Sequence, residues 1–291
     1  MEFFQPSTWS EALQMKSQHP DAMPIAGGTD VMVEINLDRH RPTSIIDLTR
    51  VRELTEWGKE GELLRIGAGV TYARIISELG DRLPGLAMAS RTVGSPQIRN
   101  RGTVGGNLGS SSPAGDAHPP LLASGAVVEL ASVGGTRRLP AREFFTGPKL
   151  NAMKKDELIA AFLVEPAKGP QQFSKVGTRN AMVIAVCSFA ISLDPERKHI
   201  GTGIGSAAPT PVVAGDAEKF LEGVLDEEGM WEKPKAADPK ALERFGGLVA
   251  AAARPIDDVR GTAAYRLHAL SVMARRSFVW AWAEYQSSMP A

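Results

Sequence analysis

A single cysteine, Cys187, in 291 residues leaves no partner for an internal disulfide and too few thiolates for a structural zinc site or an iron–sulfur cluster. An excess of charge of either sign is also missing. Thirty-three Lys and Arg balance 33 Asp and Glu, which argues against a broad footprint for nucleic acid or an anionic membrane. The longest apolar run, Ala181 to Leu193, is interrupted by Ser188 and Ser192 and is too short to cross a bilayer. The opening Met1-Glu2-Phe3-Phe4-Gln5-Pro6 carries neither a basic flank nor an apolar signal core, so a soluble protein of the reducing cytoplasm is expected. The five histidines, His19, His40, His118, His199 and His268, show no metal-ligand spacing. There is no H-E-x-x-H, no G-x-S-x-G and no G-x-x-x-x-G-K-[ST], and Gly67-Ala68-Gly69-Val70-Thr71-Tyr72 lacks the third glycine of G-x-G-x-x-G. Hydrolase, P-loop and Rossmann readings therefore lose their support.

What is present is an ordinary globular composition, with 43% hydrophobic and 23% charged residues, in a chain long enough for two or three subdomains. Ser7 or Thr8 can cap a helix with Glu11 in its first turn. Pro24-Ile25-Ala26 reads as a strand leading into the turn Gly27-Gly28-Thr29-Asp30, and Val31 to Ile35 as a helix or a second strand. Strands are expected at Ser44 to Leu48, Glu62 to Gly69, Ala126 to Leu130, Thr136 to Leu139, Glu157 to Val164, Phe173 to Val176, Val183 to Leu193 and Gly201 to Ser206. A helix is expected from Tyr72 to Leu79 and a long one over 262–285, where Leu267, Leu270, Ala274 and Ala281 recur at helical spacing. The charged segment Asp226 to Pro239 reads as an exposed connection. The pattern is α+β.

The chemistry concentrates in glycine. Six of the 29, from Gly94 to Gly115, fall within 22 residues, in a segment read as a loop around Arg101-Gly102-Thr103-Val104-Gly105-Gly106-Asn107. Glycine allows positive φ and lets main-chain amides approach a ligand, while Thr103, Asn107 and the serines add neutral donors, a combination suited to phosphate oxygens. The shorter Ala26-Gly27-Gly28-Thr29-Asp30 offers the same backbone, and the two together could grip a dinucleotide at its pyrophosphate. Either could also be a tight turn of an α+β domain. Asp116 could accept from a ribityl or ribose hydroxyl, or cap a helix beginning near Ala117. Arg99 and Arg101 flank the longer stretch and could neutralise phosphate. Cys187, inside Met182 to Phe189, reads as a buried small hydrophobe.

The text Val93-Gly94-Ser95-Pro96-Gln97-Ile98-Arg99-Asn100-Arg101-Gly102-Thr103-Val104-Gly105-Gly106-Asn107-Leu108, followed by Ser112-Pro113-Ala114-Gly115-Asp116, resembles the medium, FAD-binding subunit of the molybdenum hydroxylases, the family of xanthine and carbon monoxide dehydrogenases. The resemblance continues at Ala26 to Asp30, Leu64 to Ala68, Lys175-Val176-Gly177, Gly205 to Pro211 and Asp258 to Arg266, along nearly the whole chain. It implies a two-subdomain FAD-binding fold of the vanillyl-alcohol oxidase type, over 1–55 and 56–168, and a C-terminal α+β domain over 169–291 with a small antiparallel sheet and helices. FAD would lie between the first two. Carried over, Pro24, Ile25, Ala26, Gly27, Gly28, Thr29, Asp30 and Val31 would wrap the pyrophosphate and ribityl region, with Thr103, Val104, Gly105, Gly106 and Asn107 completing the cradle. Asp116 would hydrogen-bond FAD, and Lys175 would lie near the flavin ring. The family's molybdenum cofactor sits in a large partner subunit and its [2Fe-2S] clusters in a small one, in a dimer of heterotrimers. Electrons would pass through the flavin to NAD or another acceptor, with no catalytic side chain or metal in this chain. Some relatives carry a further iron–sulfur cluster in this subunit, which one cysteine excludes. A self-contained flavin oxidase and a nucleotide-binding regulatory module are the alternatives.

Overall fold

The computed structural model describes residues 1–289. Thr8 begins the first helix: its Oγ1 accepts from the Glu11 amide, and the Glu11 carboxylate accepts from the amides of Ser7 and Thr8. This reciprocal cap selects Thr8 over Ser7 and sets the start of α1 (Trp9–Gln18). Strands β1 (Glu2–Phe4), β2 (Met23–Ile25) and β3 (Ser44–Asp47) form a parallel sheet in the order β1-β3-β2, with α1 and α2 (Val31–Asn36) in the connections. Central β3 is buried along its whole length. Of the two readings of Val31 to Ile35, the helix is correct.

The second sheet is antiparallel, in the order β4-β5-β10-β6-β7: β4 (Trp57–Glu60), β5 (Leu63–Gly67), β6 (Val127–Ser132), β7 (Gly135–Pro140) and β10 (Leu158–Val164). Strand β10, Leu-Ile-Ala-Ala-Phe-Leu-Val, is buried throughout, as a central strand without polar alternation must be. Leu64, Ile66, Val128, Leu130 and Phe162 supply this sheet's share of one hydrophobic core. Between β5 and β6 run α3 (Tyr72–Glu78), α4 (Pro84–Thr92), α5 (Pro96–Arg101), α6 (Val104–Ser110) and α7 (His118–Ala123). The glycine-rich segment, expected as a loop, is thus two short helices joined at Gly102 and Thr103. Ser95 caps α5 and Thr103 caps α6, and these local hydrogen bonds outweigh the low helix propensity of glycine. After β7 come α8 (Ala141–Phe144) and the hairpin of β8 (Phe145–Gly147) and β9 (Leu150–Asn151).

The third sheet, β11-β12-β13, is antiparallel: β11 (Gln171–Val176), β12 (Cys187–Asp194) and β13 (His199–Gly205). The strand expected from Val183 begins only at Cys187; Met182, just before the expected start, takes a positive φ of 49°. Helices α9 (Gly215–Glu227), α10 (Pro239–Ala252) and α11 (Ala263–Ser288) complete this part, with Phe189, Phe245, Phe278 and Trp282 in its core. Asp226, expected in the exposed connection, closes α9 and pairs with Lys198 at 2.9 Å. Helix α7 packs on β12 and β13. A Cβ on Gly201 or Gly203 would lie 1.9 or 2.0 Å from the carbonyl oxygens of Ala123 and Pro119, so bare strand backbone is what lets the second and third sheets share this helix. Among the described residues, no helix is long and apolar enough to cross a membrane.

Candidate functional site

A cavity of about 820 Å³ opens between the first sheet, the helices that follow β5 and the segment 182–184. Its floor is built by main chain. Gly28, at φ +76°, turns the backbone after β2, and a Cβ on Gly27 would stand 2.0 Å from the Arg101 carbonyl oxygen and 2.9 Å from Gly102 Cα. The two glycine stretches, distant in sequence, therefore touch backbone to backbone. Asp30 ties them again by accepting from Ser110 Oγ at 2.9 Å. The Thr103 side chain holds the Gly106 amide at 2.8 Å, and Gly105 presses against Ala68, whose carbonyl oxygen would lie 2.4 Å from an added Cβ. Gly106 differs: an added Cβ would meet only Thr103 Oγ1, at 3.1 Å, and would otherwise project into the cavity that this residue lines.

Pro24, Ala26, Gly27, Gly28, Thr29, Asp30, Val31, Thr103, Gly105, Gly106, Asn107 and Asp116 line the cavity. Three expected residues lie behind it. Ile25 packs beneath Gly28, Val104 is fully buried in the core, and Lys175 reaches Asp116 from the far side. Lys175 Nζ stands 2.5 Å from Asp116 Oδ2, with both side chains 8% exposed, and Thr92 Oγ1 donates to the same oxygen at 3.0 Å. Burial pushes the Asp116 carboxyl above the usual carboxylate range, against the opposing pull of the Lys175 ammonium. The reading of Asp116 as a helix cap is corrected: Ala117 occupies that position, without a side-chain bond, because the carboxylate is committed to Lys175. Arg99 donates to the carbonyls of Arg91, Val93 and Gly94, whereas Arg101 lines the cavity. Tyr72, which sequence reasoning did not single out, also lines it. Burial first, then Asp116 and Asp30, raise its phenol well above the ordinary value. Its only signal was an aromatic residue just after a glycine turn.

His118 lies behind this wall, fully buried, with Nε2 3.1 Å from the Asn107 carbonyl oxygen. A carbonyl only accepts, so Nε2 carries the proton, and Nδ1 is left without a partner. Burial lowers its pKa to about 4. Because the unfolded histidine takes up its proton first, near pH 6.5, stability is fully present above that pH and is lost as pH falls toward 4, by about 3 kcal/mol in all. The melting temperature should fall across this window, and His118→Gln should flatten the fall; an unchanged slope in the variant would assign the acid sensitivity elsewhere.

Two buried acceptors at this wall, Asp116 Oδ1 and Asn107 Oδ1, have no donor in the chain. Such atoms call for a hydroxyl or N–H from outside the chain. The side-chain-poor floor suits a pyrophosphate, and the volume is that of a site for a large small-molecule ligand. The residues present therefore fit FAD. Fold and site together are those of a dinucleotide-binding flavoprotein.

Residues 1–165 match the FAD binding domain in molybdopterin dehydrogenase, and residues 172–281 the CO dehydrogenase flavoprotein C-terminal domain. The chain belongs to this family of FAD-binding medium subunits of molybdenum hydroxylases, and is an oxidoreductase subunit. It is 37% identical to the nicotinate dehydrogenase FAD-subunit of Eubacterium barkeri over 76% of this chain and 79% of the relative. It is 30% identical to the nicotine 6-hydroxylase medium subunit of Paenarthrobacter nicotinovorans over 96% of each. The solved carbon monoxide dehydrogenase of Hydrogenophaga pseudoflava superposes with a TM-score of 0.87 at 28% identity, over 98% of both chains.

Proposed function

We propose that this chain holds FAD along the cavity floor and relays electrons from the [2Fe-2S] clusters of a small partner subunit to NAD or another acceptor. The organic substrate would be oxidised at the molybdenum cofactor of a large partner subunit, in a cytoplasmic dimer of heterotrimers. The supporting observation is the contact of two glycine stretches that leaves Gly106 bare toward the cavity, beside an acceptor on Asp116 that lacks a donor. In this reading the segments 24–31 and 103–107 hold the pyrophosphate and ribityl region, and Asp116 accepts from the cofactor while Lys175 fixes its carboxylate. The divisions 1–55, 56–168 and 169–291 belong to the same proposal. What FAD supplies when bound is the exchange of single-electron for two-electron transfers; the chain contributes binding, orientation and electrostatics.

The purified chain, reconstituted with FAD, should show a flavin spectrum at stoichiometric occupancy, and a colourless protein would remove the reading. Turnover of an alcohol or amine without partner chains would instead favour a self-contained oxidase. Gly106→Val puts a branched side chain into the cavity and should lower flavin affinity at least about tenfold, roughly 1.4 kcal/mol. Gly247→Val, on α10 with open space around it, bears a comparable helix cost and should leave flavin content unchanged. Equal flavin content in the two variants would mean that Gly106 does not face the cofactor.

A further inference from the structure

None of Ser206, Asp258 and Arg266 lines the flavin cavity, yet together they reach two of its walls. Ser206 commits every polar group it has. Its amide donates to the Pro113 carbonyl oxygen at 2.7 Å, and its hydroxyl donates to the Ala185 carbonyl oxygen at 2.7 Å. Pro113 stands within the stretch whose Ser112, Ala114, Gly115 and Asp116 line one wall, and Ala185 directly follows Met182, Val183 and Ile184, which line another. The Ser206 carbonyl oxygen accepts from Arg266 Nη1 at 2.5 Å, and Nη2 of the same guanidinium, on a side chain 4% exposed, donates to Asp258 Oδ1 at 2.5 Å. Asp258 and Gly261 close a turn. An added Cβ on Gly261 would lie 3.1 Å from Val186 Cγ1, so that turn packs against the residue that follows Ala185.

Two features separate this junction from ordinary loop bonding. Ser206 is held at a φ of 60°, a left-handed backbone that a residue other than glycine keeps only where its surroundings fix it. Residues 182–185, in turn, have little else to hold them. Among the described residues their hydrogen bonds are those from Arg179, in the same exposed loop, to the Met182 carbonyl oxygen and the one from Ser206 to Ala185. Met182 and Ile184 are 55% and 53% exposed, whereas Ala185 is fully buried. Without the hydroxyl, the Ala185 carbonyl must turn outward to find water, and it takes the three cavity-lining residues before it along.

We infer that Ser206, braced by Arg266 and Asp258, is a positioning residue for the cofactor: it fixes the stretch 112–116 against the segment 182–184, and its hydroxyl sets how far that segment covers the bound flavin. This inference rests on the function proposed above. The test is Ser206→Gly in the chain reconstituted with FAD. Glycine takes the left-handed backbone without strain and keeps the amide and carbonyl bonds, so only the hydroxyl is lost and the melting temperature should stay close to native. Amide hydrogen exchange over 178–187, quenching of flavin fluorescence by potassium iodide and the rate of FAD release are then measured. Exchange should speed up, and quenching and release should each rise about threefold to tenfold, the range expected for one lost hydrogen bond. Lys198→Gly relieves a similar backbone, with a φ of 51°, in the turn between β12 and β13, does not line the cavity, and should change none of the three. Faster exchange with native quenching and release makes Ser206 a structural residue only and overturns the inference. Native values throughout, or an equal change in Lys198→Gly, overturn it as well. Should the Ser206 variant not fold, Arg266→Lys decides on the same measurements, because a lysine cannot bond Ser206 and Asp258 through two arms; it should show the same rises, and native values there overturn the inference. A native chain that binds no FAD overturns the functional reading, and the role of Ser206 with it.

Discussion

Gly27→Ala should yield a protein that no longer retains flavin through purification. The added methyl group would sit 2.0 Å from the Arg101 carbonyl oxygen and 2.5 Å from its carbon, and these are backbone atoms that cannot rotate aside. Either the turn after β2 or the junction of α5 and α6 must retreat. Overpacking of this kind costs about 1 to 3 kcal/mol. Both segments form the cavity floor, so the retreat opens the cradle itself, and FAD affinity should drop about tenfold to a hundredfold. Gly58→Ala provides the comparison, since an added Cβ there meets nothing within 4 Å. Flavin-to-protein absorbance ratios and titrated affinities check the difference. Native affinity in Gly27→Ala would show that contact between the two stretches does not shape the site.

Asp116→Asn should be the most destabilising change at the cavity wall. It leaves the Lys175 ammonium 8% exposed without its anionic partner, and breaking a buried pair from one side costs about 3 to 5 kcal/mol. Adding Lys175→Met removes the stranded charge and should recover most of that loss in denaturant unfolding. Flavin affinity should be low in the double variant as well, because the negatively charged acceptor at the cavity wall is replaced by a weaker, neutral amide. Recovery of flavin together with stability would make Asp116 a structural residue only. Asp226→Ala, which breaks an exposed pair with Lys198, should change stability by less than about 1 kcal/mol and flavin binding not at all.

Much of the architecture is written in local chemistry. Thr8 and Glu11 specify the start of α1, the unbroken apolar run of β10 specifies a central strand, and the spacing of Leu270, Ala274 and Ala281 specifies α11. Cys187 is buried among apolar neighbours as its surroundings in sequence predict, and burial pushes its thiol up to about 12. The failures have a common cause. Helices α9 and α10, which carry Gly215, Gly223, Gly246, Gly247 and Pro239, are not among the expected elements. Pro239 occupies the first helical turn, where its missing amide costs nothing, and a Cβ on Gly246 would lie 2.7 Å from the Ser271 carbonyl oxygen, so that glycine serves the close approach of α10 to α11. The segment 104–110 turned helical for a comparable reason: Thr103 caps it, and Gly105 fits against Ala68.

The sequence alone pointed to a ligand held by main chain rather than by charged side chains, because it concentrates glycine, threonine and asparagine in two short stretches. It could not determine that those stretches meet, that Lys175 closes on Asp116 across 59 positions, or that Tyr72 and the segment 182–184 share their cavity. Those facts follow from tertiary packing: the turn after β2 meets the junction of α5 and α6, and α7 joins the second and third sheets over the bare backbone of Gly201 and Gly203. Pairings between distant residues depend on packing that no local window of sequence contains.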